Sequence, residues 1–164
     1  MVETATTAPV DRAAVRGGLE RTHEAYRELI GEIPDAKWRA TSGNRAFTCG
    51  QLAWHLASSV GFAADLVEAA RKGKQTNVPS FVMPLAYRLN EVRIRRGSRR
   101  ATRDSVLADY ARHQARLLRL LDDVKDADFS IVKTNFALTR SVREMFEIPV
   151  EHLGEHAPDI RAVL

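Results

Sequence analysis

What most restricts this chain is a hydrophobic repeat of three to four residues that returns in four long stretches, each opened or closed by helix punctuation. From Asp11 to Ile33, the residues Val15, Leu19, Tyr26, Ile30 and Ile33 recur at helical spacing. Pro34, which has no amide proton to give, marks the stop. Thr48-Cys49-Gly50-Gln51 has the form of a capping box: the threonine side chain bonds the amide three residues on, and the glutamine reaches back. In the second helix, which it opens, Leu52, His55, Ser59, Phe62, Ala63 and Leu66 share a face, and Gly73 is the stop. A third helix is predicted from Thr102 to Val124, with Val106, Tyr110, His113, Leu117, Leu120 and Val124 on one stripe. Ser141-Val142-Arg143-Glu144 is a further capping box and opens a fourth helix, predicted to bend at Pro149 and continue to near the end of the chain.

Residues 74–101 form a long connection containing Pro79 and Pro84, with a short helix predicted from Pro84 to Arg96 and ended by Gly97. Strand candidates such as Phe129 to Thr134 are too short to build a sheet. Four amphipathic helices with a crossover long enough to span the molecule predict an all-α fold, a four-helix bundle with its long crossover between the second and third helices. A length of 164 residues with 45% hydrophobic content suits one domain over residues 1–164, with 1–10 as an N-terminal arm. There is no internal repeat or low-complexity tract. The start of the chain has an early acid and no apolar run of signal-peptide length, and nowhere do about 18 apolar residues run together. The expected setting is the cytoplasm, with no membrane partner. A single cysteine, Cys49, excludes an internal disulfide and a cysteine-only metal cage, so any metal here needs histidine or carboxylate ligands.

The stretch EHLGEHAPDI, residues 151–160, places His152 and His156 one helical turn apart. At that spacing two Cβ atoms lie about 5–6 Å apart on one face, close enough for both imidazoles to reach one ion at about 2 Å. Such a pair can also be a polar helix edge. His55 lies on the buried stripe of the second helix, where a neutral imidazole needs a partner. Inward-facing imidazoles on two helices of a bundle are the arrangement from which core metal sites are built, and three histidines leave coordination positions open, as catalytic sites do.

FTCGQLAWHLA (47–57) and EHLGEHAPDI together resemble the two signature regions of the DinB/YfiT-like superfamily, which includes the metal-binding domains of mycothiol-dependent maleylpyruvate isomerases and the bacillithiol transferases. The likeness extends over the whole chain in helix order and length, but its specific content lies in those two stretches. It implies up-down-down-up connectivity and a divalent ion held by His55, His152 and His156: zinc or nickel first, with iron or manganese as alternatives. It also implies a low-molecular-weight thiol, activated on the ion, attacking a small electrophile. The activity expected is therefore a thiol S-transferase or a thiol-assisted isomerase, and a homodimer is compatible with the resemblance. Arginine exceeds lysine by 20 to 5 and alanine is abundant, a bias of GC-rich bacterial genomes that favours mycothiol over bacillithiol or glutathione. The alternatives are a metal-dependent hydrolase using a water on the same three ligands, and a non-catalytic metal-binding or interaction protein.

His152-Leu153-Gly154-Glu155-His156 also fits the H-x-x-E-H string of inverzincin peptidases, which take a further ligand downstream. Eight residues follow His156 here and none is His or Glu, so that reading is set aside. Gly154 is expected to let another backbone or a ligand approach, and Pro158 to free the Gly154 carbonyl, loosening the helix beside the metal. The plainer alternative is a poor helix end. Cys49 falls in the first turn of the second helix, where the dipole lowers a thiol pKa, but packing is its expected role. His113 and His23 are outlying ligand candidates and Glu155 an outlying general base; none joins the metal set. Between Arg88 and Arg103, seven arginines (88, 93, 95, 96, 99, 100 and 103) face Glu91 alone, a charge of +6 that leaves −2 for the rest of a chain totalling +4. A solvated crossover is the ordinary meaning of that patch, and no recognition motif supports nucleic-acid binding.

Overall fold

The computed structural model describes residues 10–74, 82–135 and 138–164, and within them the chain is mostly helical, with five helices and one small hairpin. The first helix, α1 (Arg12–Glu32), begins where the Asp11 carboxylate accepts the Ala14 amide at 2.9 Å and gives way to an extended Ile33 before Pro34. The second, α2 (Cys49–Arg71), starts with the reciprocal capping box of Thr48 and Gln51, and the chain leaves it through Gly73 at φ 71°. A short helix in the crossover, α3 (Met83–Gly97), carries Pro84 in its first turn. Next comes α4 (Arg103–Asp123), capped by Thr102 and Ser105 in the same reciprocal pattern. The last, α5 (Val142–Arg161), is opened by Ser141 and Glu144 and runs through Pro149 and Pro158.

The long helices pack in a definite arrangement: α2 lies against both α4 and α5, and α1 also lies against both. Arg116 of α4 meets Asp65 and Glu68 of α2, and Arg71 donates to the Asp123 carbonyl one turn or two further along each, so these two helices run the same way. Between α1 and α4 the order is opposite. Arg16 pairs with Asp122 at one end, and Arg103 reaches the Ile30 carbonyl at the other. Arg161 and Glu32 join the C-terminal ends of α5 and α1 through two contacts of 2.8 Å.

Side chains from all four long helices form the core, among them Leu29 and Ile30, Leu52 and Leu56, Leu117 and Leu121, and Met145, Phe146 and Ile160. Tyr26 is wholly buried there and satisfies its hydroxyl on the Ala53 carbonyl at 2.9 Å. The second helix is buried on more than the expected stripe: Cys49, Ala53, Ala57, Ala64 and Val67 are all inside, whereas Phe62, placed on the stripe by spacing, is 38% exposed. Small residues around α2 admit close neighbours. A Cβ on Gly50 would lie 2.6 Å from the Trp38 indole nitrogen.

One expectation is corrected. Residues around Phe129 to Thr134 do pair: β1 (Val132–Asn135) forms an antiparallel hairpin with β2 (Leu138–Ser141), in the register Val132↔Ser141. Phe129 itself belongs to the preceding 3₁₀ turn, Asp126–Ser130. Length alone was the wrong criterion, because the partner strand follows directly and the loop to close is short. The hairpin is also anchored, since Ser141 ends β2 and caps α5 while the Val142 amide donates to the Ile131 carbonyl at 2.9 Å. Nearly all of the expected arm (1–10) and Pro79 of the crossover lie outside the described residues. Among those described, no helix is long and apolar enough to cross a membrane.

Candidate functional site

The packing of α2 on α5 brings His55, His152 and His156 together. Their ring centroids form a near-isosceles triangle, with His55 5.4 Å from each of the other two and His152 6.0 Å from His156. An imidazole bound at about 2 Å has its centre roughly 3 Å from the ion, so three rings sharing one ion stand about 4.5–5.3 Å apart. The observed triangle is slightly more open than that. As the side chains stand, no three His, Cys, Asp or Glu groups among the described residues are placed to hold a metal ion. Closing the triangle takes inward shifts of under about an ångström, within the reach of small side-chain torsions.

The chemistry of the three rings suits a ligand set better than a plain core. His55 Nδ1 is buried and has no hydrogen-bond partner among the described residues, the kind of group that calls for an explanation. Burial, with smaller contributions from His152, His156 and Arg93, drives the His55 pKa down to about 3. Burial likewise lowers the His152 pKa, against the opposing pull of Glu155. Both rings are therefore neutral at pH 7, the form that can donate a lone pair to a metal. His156 is held from behind: its Nδ1 lies 3.2 Å from Asp159 Oδ2. An ionised carboxylate only accepts, so Nδ1 is the donor in this contact, which directs Nε2 as the nitrogen that can serve as a ligand.

Asp159 is the residue that sequence reasoning missed, although its place three residues after His156 on one helix face was a usable signal. It is itself fixed by the loop before α2. The Gly43 amide donates to the Asp159 carbonyl at 2.7 Å, and a Cβ at Gly43 would sit 3.0 Å from that oxygen and 3.2 Å from the Ala162 Cβ. Ser42 closes the loop on itself through the Phe47 carbonyl at 2.8 Å. No periodicity in residues 40–48 announces this clamp.

The outlying candidates fall elsewhere. Cys49 is fully buried and its thiol pKa is raised by that burial, which makes it a packing residue rather than a nucleophile. His113 lies against Gly61, where an added Cβ would be 2.7 Å from Nδ1. Gly61 is six residues beyond His55, about 9 Å along α2. His23 stacks on Tyr110 at 5.0 Å and belongs to the contact of α1 with α4. Glu155 is exposed on α5. Gly154 faces open space with no atom within 4 Å of its Cβ position, and it lines a shallow groove beside Gly18, Ala25 and Ala157. No backbone approaches it there. The chain stays helical through Pro158, whose carbonyl accepts the Ala162 amide at 2.9 Å, so this is an ordered helix end.

The arginines of the crossover are not equivalent. Arg103 pairs with Asp35 at 3.0 Å and covers the Trp38 ring, so it is part of the framework. Arg93 lies over the Trp54 ring at 5.6 Å, and Arg95 reaches the Ala46 carbonyl at 3.3 Å. Arg88, Arg96, Arg99 and Arg100 are exposed.

The family model of the DinB superfamily matches residues 18–160, a span that contains all three clustered histidines. No curated protein and no solved structure matches the chain. The chain belongs to the DinB superfamily.

Proposed function

We propose that this DinB-superfamily chain is a divalent-metal-dependent protein in which His55, His152 and His156 hold the ion, with a low-molecular-weight thiol of the mycothiol type and a small electrophile as its substrates. The observation that carries the reading is the convergence of three imidazoles from two helices, one of them with a buried nitrogen lacking a partner among the described residues. An ion in that cluster would satisfy the orphaned nitrogen and would lower the pKa of a thiol that reached it. In this reading the helices form an up-down-down-up bundle whose crossover contains α3, and the histidines sit where α2 faces α5.

The remaining roles belong to the chain. His55 and His152 are kept neutral by burial. Asp159 sets the tautomer and direction of His156, the usual work of a carboxylate behind a metal-bound imidazole. The only thiol of the chain, Cys49, is sealed in the core, so the attacking sulfur must arrive as a cosubstrate. In a transfer, the sulfur gives its proton to solvent, forms the new C–S bond, and the leaving group departs with its electron pair. In a thiol-assisted isomerisation the sulfur adds to a carbon–carbon double bond and leaves again after rotation, regenerating the thiol. Metal analysis of the purified protein, followed by a screen of thiols and electrophiles on the zinc- and nickel-loaded forms, tests the proposal. About one ion per chain and turnover that requires thiol are expected. Turnover without thiol would assign a hydrolase instead, and absence of bound ion would end the metal reading.

A further inference from the structure

We infer that α3 is a docking helix for an anionic lipid surface. This helix buries Ile94 and leaves large apolar side chains in water: Leu85 is 57% exposed, Leu89 61% and Val92 47%. The spacing of the three is i, i+4 and i+7, which lines them up on one face of a helix, and at 100° per residue that line is diametrically opposite Ile94. Tyr87, also exposed, lies on the Ile94 side, two turns nearer the start of the helix. The inward packing is thus confined to the C-terminal half of the helix at Ile94, and Leu85, Leu89 and Val92 form a separate apolar ridge on the opposite side.

Charge decides what covers the ridge. By the same helical geometry Arg88 and Arg95 flank it on one side and Arg96 continues its line at the C-terminal end, while Arg93, on the other side, is turned onto the Trp54 ring. Arg99 and Arg100 follow in the next turn. Arg88, Arg96, Arg99 and Arg100 make no ion pair or hydrogen bond among the described residues, so their charge is uncompensated locally. An occupant must therefore be anionic beside the ridge and at its C-terminal end, and apolar along it. A second copy of this helix fails that requirement, because a two-fold contact would set arginines against arginines. Nucleic acid meets the charge but would leave Leu85, Leu89 and Val92 facing phosphates. A bilayer containing acidic lipids meets both conditions. Its headgroups take the arginines, the leucines and valine enter the acyl boundary, and Arg96 can snorkel from the ridge. A convex ridge also needs no complementary groove on such a partner.

The test is vesicle flotation of the full chain with neutral phosphatidylcholine vesicles and with vesicles that also contain phosphatidylserine. Binding to the acidic vesicles alone is expected, weakening as salt is raised. Leu85→Ser with Leu89→Ser should lower the partition at least about tenfold. Arg88→Gln with Arg96→Gln and Arg99→Gln should lower it by a similar factor and remove most of the salt dependence. Unchanged circular dichroism and melting temperature would show that these exposed substitutions leave the fold intact. The inference is overturned if the native chain ignores acidic vesicles, or if neither variant loses binding. It is equally overturned if the leucine variant only dissociates a dimer, or if duplex DNA or an acidic peptide binds the patch while acidic vesicles do not. None of these readouts depends on metal, so failure here leaves the histidine proposal standing.

Discussion

Two clusters of half-buried histidines lie among the same long helices, and they differ in a way that separates a candidate site from a core. At the interface of α1, α2 and α4, His23 stacks on Tyr110, Tyr110 stacks on Tyr26, and His113 lies against Gly61. Where α2 meets α5, His55, His152 and His156 face one another instead. Burial lowers the pKa of His23 and His113 just as it lowers that of His55 and His152. A depressed pKa therefore does not distinguish the clusters. What does is convergence: in the first each ring is covered by a different neighbour, whereas in the second three potential donors share one space and the His55 Nδ1 has no partner. Perturbed titration becomes a functional argument only when the perturbed groups point at a common target.

The comparison breaks most directly on metal content. Substituting His55, His152 or His156 by alanine should each lower divalent-metal affinity by more than about 100-fold, while His23→Ala and His113→Ala leave it at the native level. Mass-spectrometric metal analysis of the five variants checks this; the same content in all five would erase the distinction. The next effect is on the metal-free protein. The folded pKa of His55 lies at about 3, below its unfolded value near 6.5, so the unfolded chain binds the extra proton between those limits. Stability should be full above about pH 6.5 and decline as pH falls toward 3, by about 3 kcal/mol at about pH 4.5 from this group. Denaturant titrations across that range should show the decline, and His55→Gln should make it shallower by about that amount, leaving the part due to His152, His23 and His113.

Substitution in the other cluster should read out as packing alone. Gly61→Ala puts a methyl 2.7 Å from His113 Nδ1 and should cost about 1–3 kcal/mol, seen as a lower melting temperature with unchanged metal content. Asp159→Asn removes the charged acceptor that holds His156 Nδ1–H, and should weaken metal binding about tenfold without loss of helicity. Metal affinity equal to native would reduce Asp159 to an ordinary surface contact. The smallest effect belongs to Cys49→Ala, a loss of about 1 kcal/mol of stability with thiol-dependent turnover retained. An inactive Cys49→Ala protein with full metal content would return the thiol of the chain to the chemistry.

The helices could be read from sequence because their signals are local. Thr48 with Gln51 and Ser141 with Glu144 close their capping boxes within four residues, and Gly73 takes its positive φ within the turn that it ends. The short helix of the crossover was equally legible, predicted at Pro84 to Arg96 and observed at Met83–Gly97. The hairpin was not, because its stability comes from pairing β1 with β2 and from the anchor to α5 rather than from the length of either strand. The candidate site divides along the same line. That His55, His152 and His156 deserved attention followed from spacing and resemblance, and that Cys49 is better suited to packing than to attack was anticipated and agrees with its burial.

By itself, then, the sequence determined where the helices start and stop, which face of most of them turns inward, and that His152 and His156 share one face of a helix, since each of these depends on contacts within about one helical turn. Tertiary structure alone decided that α2 would be buried almost all round, that Phe62 would reach the surface, and that the Gly43 amide would fix Asp159 behind His156. It also decided that His55 Nδ1 would be left without a partner. The physical reason is distance along the chain. Gly43 and Asp159, like His55 and His152, are brought together only when α2 docks on α5, and no local preference encodes the hydrogen bonds, burial and close approaches that docking creates.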